Sequence, residues 1–283
     1  MLELRVLGSD DFQAVEAFLI RHRDTSMFLR SNAREAGLVY RGQRQQAVYL
    51  GGFRAGELVG VVAHAWNGLL LFQAPEEVDA IVRACVDASR RAVVGLIGPG
   101  SQVRQARRSL GLEGAPSILE EDEDLYVLDL AGWGVPEAVP SAGLECRAPV
   151  PAEYAALRSW RVAYEVEALG RSDDAVLRRQ AANAVDAQIS DQVAWVAVAN
   201  GVPVSFAAFN AALPDIVQLG GVYTPPEFRG RSYAKAVVAH AVLVGRERGA
   251  GRAVLFTGNP NAARAYQALG FTKKTDFALV LFK

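Results

Sequence analysis

The apolar and polar positions of this chain run through one order of elements twice. In the first half a strand pattern, LELRVL, leads into a helical region, SDDFQAVEAFLIRHR, that opens at a capping-type residue. Two adjacent strands follow around a turn at RAGE (AVYLGGFRAGELVGVVAHAW), then a strand (LLLFQ), a helix, a strand (AVVGLIG), a short helix ending in Leu-Gly (QVRQARRSLGL) and a closing strand (DLYVLDL). The second half repeats this as LECRAP, then VPAEYAALRSWRVAYEVEAL with proline in the first turn, then VAWVAVANGVPVSFAAFNAA around ANGV. IVQLGGVY, a helix, RAVLFTG, NAARAYQALGF and FALVLF complete it. Each half reads β-α-β-β-β-α-β-α-β. The shared turn positions and the two Leu-Gly helix ends favour an internal duplication over a chance order of elements. The polar stretch His22 to Gln43 fits either a pocket rim or an ordinary helix pair.

Between the halves AGWGVPEAVPSAG follows the acidic run EEDED and has no apolar period. It predicts a linker over 132–142 joining domains 1–131 and 143–283, in keeping with two domains for 283 residues. With 51% apolar and 22% charged residues the chain reads as soluble and globular, with enough length to bury a core without staples. A formal charge of -1 speaks against a whole-chain nucleic-acid surface but leaves room for a local basic loop. Two cysteines are too few for a disulfide scaffold. The acidic start is unlike a secretory leader, and the most apolar stretch, LVGVVAHAWNGLLLF, carries His64 and Asn67 and is too short for a membrane helix. The expectation is a cytoplasmic protein with neither a nucleic-acid nor a membrane partner.

One basic loop stands out in VYTPPEFRGRSYAKA, where a strand breaks at Pro225-Pro226 and a helix begins near Arg231. The free N–H groups of a helix start, joined by Arg229, Gly230, Arg231 and Ser232, make a nest suited to a pyrophosphate. The plain alternative is a solvated turn capping a helix. Arginine there opposes the helix dipole by about 0.3–1 kcal/mol per charge, so two arginines speak against it.

Residues 143–283 resemble a GCN5-related N-acetyltransferase (GNAT) domain. The family's acetyl-CoA loop, Arg/Gln-x-x-Gly-x-Gly/Ala, has its counterpart in Arg229-Gly230-Arg231-Ser232-Tyr233-Ala234. Ser232 stands where the family usually has glycine, and a helical φ there would admit it. The later family pattern Asn-x-x-Ala-x-x-x-Tyr-x-x-x-Gly-Phe is met by Asn259, Ala262, Tyr266, Gly270 and Phe271. The first half matches in element order alone, similar in plan to tandem members that pair a degenerate first copy with an active second one. The resemblance implies a mixed α/β (α+β) fold of two tandem domains, each a mostly antiparallel central sheet flanked by helices. It also implies acetyl-CoA as co-substrate and no metal. Val222, Tyr223 and Thr224 would meet the pantetheine arm, Arg229, Gly230, Arg231, Ser232, Tyr233, Ala234 and Lys235 the pyrophosphate, and Asn259 the arm again besides capping its helix.

Acyl transfer from a thioester needs an in-line acceptor, a stabilised oxyanion and proton transfers. Gly220 and Gly221 permit a bulge or close approach in the fourth strand. Tyr266 is the candidate acid, since a phenol near pKa 10 is protonated when a thiolate of about 8.5 departs. The family's usual acid on the fourth strand is missing. Glu165 and Glu167 are the tentative bases, on a helix whose Trp160 and Tyr164 share a side, unless they simply form its solvated face. His22, His64 and His240 show no metal spacing, and Cys85 and Cys146 read as buried thiols. In the first half Glu76 and Glu77 stand at the place of the arginine loop and Arg107 near the place of Tyr266, so that copy is expected to be non-catalytic. The favoured function is transfer of an acetyl group to a primary amine of a small molecule or protein. The alternative is an acyl-CoA-binding or interaction protein without turnover. An aminoacyl donor would not need the arginine loop. A monomer and a homodimer both fit.

Overall fold

The computed structural model describes residues 1–137, 139 and 143–283, so positions 138 and 140–142 of the expected linker lie outside the described residues. The chain is mixed α/β and divides into two compact units: 1–125 with 275–283, and 126–274.

The first unit contains β1 (Leu2–Val6), α1 (Phe12–Arg21), α2 (Met27–Ala36), β2 (Ala47–Arg54), β3 (Glu57–Ala65), β4 (Leu69–Gln73), α3 (Val78–Ser89), β5 (Gly95–Pro99) and α4 (Gly100–Ser109), then enters β6 (Ser117–Asp129). The second contains β7 (Leu144–Arg147), α5 (Tyr154–Leu169), α6 (Ala175–Ser190), β8 (Ala194–Ala199), β9 (Val202–Ala212), β10 (Ile216–Tyr223), α7 (Tyr233–Glu247), β11 (Arg252–Thr257), α8 (Pro260–Gln267) and the start of β12 (Thr272–Phe282). In each unit the strands neighbour one another in chain order, β1 to β5 and β7 to β11, and run antiparallel up to the last pair. Among these neighbours β4 with β5, and β10 with β11, are parallel, because a helix crosses between them (α3 and α7).

The repeat is therefore real in topology, with one more helix per half than the periodicity predicts. In the second unit that helix is α6. Asp174 caps it, its carboxylate accepting from Leu177 N at 2.8 Å, and Leu177, Ala181 and Val185 bury a stripe at intervals of four. In the first unit it is α2, so His22 to Gln43 contains a single helix where a helix pair was one expectation. The predicted turns form as tight hairpins in which both central residues have positive φ: Ala55 (51°) and Gly56 (82°), Asn200 (50°) and Gly201 (77°).

Both sheet faces are covered, which is why the strands read as nearly continuous apolar runs. In the first unit Val61 and Leu71 belong to a core with Phe18 and Leu19 of α1, while Val62 and Leu70 belong to another with Ile81 of α3 and Val103 of α4. In the second, Val196 and Phe206 pack with Leu157 of α5 and Val185 of α6, whereas Ala197 and Phe209 pack with Val237 and Val238 of α7.

The closing strands differ from expectation. FALVLF, at the end of the second half, pairs antiparallel with β5 of the first unit, Phe277 opposite Pro99 and Leu281 opposite Gly95. Its Ala278 and Val280 fill the first unit's core. In return Tyr126, Leu128 and Leu130 belong to the core of the second unit. The run EEDED, read as leading into the linker, lies inside β6, where Arg107 pairs with Glu120 at 2.6 Å and Arg104 with Asp122 at 3.4 Å. A short apolar strand looks the same in sequence whichever partner it joins, so the exchange had no local signal. Val280→Asp should bury a carboxylate at a cost of several kcal/mol and strip hydrogen-exchange protection from the β5 amides. Unchanged β5 protection would rule out this strand as a structural partner.

Candidate active site

The candidate site is built in the second unit where β10 and β11 part. They pair at Ile216, Val217 and Gln218, opposite Arg252, Ala253 and Val254, and the register ends there. Beyond it the β11-facing edge of β10 has no strand partner among the described residues. Two irregularities bend β10 against β9, at Gln218/Leu219 and between Gly220 and Tyr223, where Gly221 and Val222 together oppose a single residue of β9. Gly220 leaves room for the Asn210 side chain, and Gly221 has φ +61, a conformation that favours glycine. The expected bulge at these glycines is present. Ser205 of β9 fixes the strand end, its hydroxyl donating to Tyr223 O at 3.2 Å and lying 2.8 Å from the Thr224 hydroxyl.

The chain then makes one 3-10 turn, Pro226–Phe228, and enters α7 at Tyr233, two residues later than Arg231. Ser232 is the N-cap but does not have a helical φ. It sits at +63°, and its side chain makes no capping bond. A non-glycine residue there costs about 1–2 kcal/mol, so the family's glycine is explained by backbone geometry as much as by space. With no side-chain cap, the N–H groups of Tyr233, Ala234 and Lys235 in the first turn are free of the usual internal acceptor, and Gly230 (φ +77) and exposed Arg231 precede them. These groups fit a pyrophosphate.

Arg229 is turned back. Its Nε donates to Thr224 O at 2.9 Å and its Nη2 to Glu167 Oε2 at 2.7 Å, with the guanidinium over the Tyr223 ring at 5.7 Å. Glu167 in turn holds the guanidinium pKa up, mainly through that hydrogen bond. Burial pushes the Tyr223 phenol up, Glu167 adds to this and Arg229 opposes it. Both members of the ion pair are nearly half exposed (44% and 49%), so the pair is worth about 0–1 kcal/mol and is cheap to exchange.

Glu165 is placed quite differently. It is buried, and Arg161 and Arg171 approach its oxygens to 2.7 and 3.1 Å. Two guanidiniums on one carboxylate make a small cluster of net charge +1 that ties α5 to the loop after it. Arg161 Nη1 is buried without a hydrogen-bond partner and faces Gly221, where a Cβ would come within 2.7 Å of it. At its start α5 is fixed by Glu153, which accepts from Arg147 at 2.7 and 3.0 Å and from Val150 N at 2.8 Å.

Trp160 packs with the core under α5, and Tyr164 lies beneath Arg161 at 5.3 Å. Tyr266 is buried in the α7 core, edge-on to Phe271. Asn259 caps α8 through Oδ1, accepting from Asn261 N at 2.8 Å and Ala262 N at 3.3 Å. An open groove of about 720 Å³ runs between α5 and α6, lined by Val162, Ala163, Val166, Glu167, Ala182 and Tyr223 with Arg158, Ser159, Asp173 and Arg178. Sequence reasoning missed this wall because α6 was missed. The Asp174 cap and the Leu177/Ala181/Val185 spacing carry the signal for it.

The same position in the first unit is closed. Phe72 of β4 packs so tightly on Gly98 of β5 that a Cβ there would lie 2.8 Å from the Phe72 Cβ. The Ala74 N–H just beyond β4 donates to Gln102 Oε1 at 2.7 Å. Glu76 and Glu77 are bound to Arg54, and Arg107 to Glu120 and the Leu112 carbonyl. Burial raises the thiol pKa of Cys85 to about 12 and of Cys146 to about 11, so both are protonated and unreactive at neutral pH. No group of three or more His, Cys, Asp or Glu among the described residues is placed to hold a metal ion, and no described helix is long and apolar enough to cross a membrane.

Ser232→Gly should relieve the left-handed strain, partly offset by the freedom glycine adds to the unfolded chain, for a net gain of roughly 0.5–1 kcal/mol in chemical denaturation. A loss of stability would contradict the strained geometry. Arg147 holds the Glu153 carboxyl below the usual range, helped by the Val150 N–H. That contribution is fully present above the unfolded value of about 4.3 and is lost as pH falls through the lower folded value. Glu153→Gln should therefore cost about 1–3 kcal/mol at pH 7, and the gap should close on acidification. A gap that persists at low pH would show that the charge is not its source.

The comparisons agree with this geometry. Residues 154–271 match the model of the acetyltransferase (GNAT) family. No curated protein matches the chain in sequence. Solved structures match over nearly its whole length. A GCN5-related N-acetyltransferase from Sphaerobacter thermophilus has a TM-score of 0.60 at 15% identity, covering 99% of this chain and 94% of that one. One from Kribbella flavida has 0.57 at 20%, covering 92% and 94%. A tandem GNAT protein from the clavulanic acid biosynthesis pathway has 0.54 at 18%, covering 99% and 98%. At such identities these likenesses establish the fold, and the family model adds the assignment: residues 154–271 are a domain of the GNAT acetyltransferase family.

Proposed function

We propose that the protein is an acetyl-CoA-dependent N-acyltransferase whose chemistry resides in the half 143–283. The observation that carries this reading is the parting of β10 from β11 directly ahead of an uncapped, arginine-bearing helix start. Together they offer one continuous track of unpaired strand edge and free helix N–H groups, suited to an extended arm ending in a pyrophosphate. Acetyl-CoA, when bound, supplies an activated acetyl thioester. The strand end at Val222, Tyr223 and Thr224 would hold the arm. The nest of Gly230, Arg231, Ser232, Tyr233, Ala234 and Lys235, with Arg229 once released from Glu167, would hold the phosphates. Asn259 serves first as the cap of α8, and a contact to the arm would come in addition.

Tyr266 is the proposed acid, donating its phenolic proton to a thiolate leaving group. Of the two glutamates, Glu167 suits proton acceptance better. It lines the groove and its single partner is exchangeable, whereas Glu165 is locked between two arginines. The acceptor is a primary amine. The first unit, closed at the equivalent place, is read as a non-catalytic copy. An acyl-CoA-binding protein without turnover is the other reading, favoured by one observation, the strained Ser232 in the phosphate loop. A cytoplasmic setting fits these substrates.

Acetyl-CoA should raise the melting temperature, and amines should release free thiol. No shift at millimolar acetyl-CoA would exclude both readings, and a shift without thiol release from any acceptor would favour the binding protein. Tyr266→Phe should lower kcat more than tenfold (about 1.4 kcal/mol in the barrier) with cofactor affinity little changed. Replacing Arg229 and Arg231 by Ala should weaken CoA far more than a pantetheine lacking the nucleotide, and equal losses would refute the phosphate role.

A further inference from the structure

The groove between α5 and α6 has one wall of small apolar side chains, Val162, Ala163, Val166 and Ala182, and the Tyr223 ring at its end. On α5 these positions, with Ser159 and Glu167, recur at intervals of three and four, so they form one face. The charged groups around it are in pairs. Arg158 is bound to Asp186 at 2.7 Å and Arg178 to Asp173 at 2.7 Å, all four carried on α5, α6 or the loop joining them. Glu167 is the exception. Its partner, Arg229, is not part of the groove wall but belongs to the anion-binding loop ahead of α7. The two other pairs stay neutral whatever binds at the loop, whereas the Glu167 pair does not.

We propose that the groove binds a primary ammonium carried on an apolar body, and that Glu167 becomes its counter-ion when an anion at the loop draws Arg229 away. This rests on the acetyltransferase reading and narrows its acceptor. Before the exchange the groove has no net charge. After it, one carboxylate faces an apolar wall, which is complementary to an arylalkyl or alkyl ammonium. A zwitterionic amino acid would bring a second charge whose counter-ion would have to be freed from the Arg158–Asp186 or Arg178–Asp173 pair, and a neutral alcohol would leave the carboxylate unpaired. The exchange is feasible because both members of the ion pair are half exposed and weakly held. It also makes the two sites reciprocal: whatever factor the anion adds to amine affinity, the amine adds to anion affinity.

The test is calorimetric, with CoA as the anion and three probes of similar shape: 2-phenylethylamine, phenylalanine and 2-phenylethanol. The amine should bind the CoA-loaded protein at least tenfold more tightly than the free protein, and CoA should tighten by the same factor when the amine is present. Phenylalanine and phenylethanol should show no such gain. Glu167→Gln, at an exposed position that the fold tolerates, should abolish the gain while CoA binds as well as before or better, since Arg229 is no longer held. Equal amine affinity with and without CoA would overturn the inference, as would a preference for phenylalanine or an unaltered Glu167→Gln variant. If CoA binds and other amines release thiol from acetyl-CoA while phenylethylamine gains nothing, this inference falls and the acetyltransferase reading stands. If CoA does not bind, both fall.

Discussion

The site depends on a pairing that stops early. β10 and β11 share Ile216, Val217 and Gln218 with their three partners and no more. A parallel ladder that ran on would satisfy every backbone group along both strands. Ending it leaves the far half of β10 as a strand with one neighbour, and that neighbour is held out of simple register by the bulge at Gly221 and Val222. The unpaired edge, the left-handed glycine and the strained Ser232 are costs at a single place. They persist because the surrounding core is dense: Val217 and Leu219 pack with Val237, Val238 and Leu255, all nearly inaccessible.

The two units show what this opening requires, because they share a topology and differ at this place. In the first, β4 and β5 also make three parallel pairs, yet Phe72 presses on Gly98 and Gln102 satisfies the next backbone donor. The corresponding helix start carries Glu76 and Glu77, which suit the positive end of a helix dipole and are both paired with Arg54. In the second unit Arg161 stands at this place: its Nη1 is a buried donor with no protein acceptor, while its Nε donates to Glu165, which holds it at the bulge.

Much of this was legible in the residues. The hairpin turns, the bulge glycines, the Asn259 cap and the basic loop are local features, and local backbone preferences reveal them. The parts that were not legible involve distant partners. Ser232 looked like a small residue in a helix start, but it sits at the N-cap of α7 with φ +63°, outside the helical region. Glu165 and Glu167 looked alike on one helix, and only the packing of Arg161, Arg171 and Arg229 separates a locked carboxylate from an exchangeable one. FALVLF matched a closing strand of its own half, since nothing within six apolar residues records which edge they will join.

That last strand has a consequence for how the protein comes into being. The first unit's core is completed by Ala278 and Val280, which leave the ribosome only after the whole of the second unit. Through the synthesis of that unit the β5 edge stands without its neighbour, and the portion made first waits, incomplete, for a strand encoded well downstream of it. A nascent chain interrupted ahead of that strand would thus damage the portion made first.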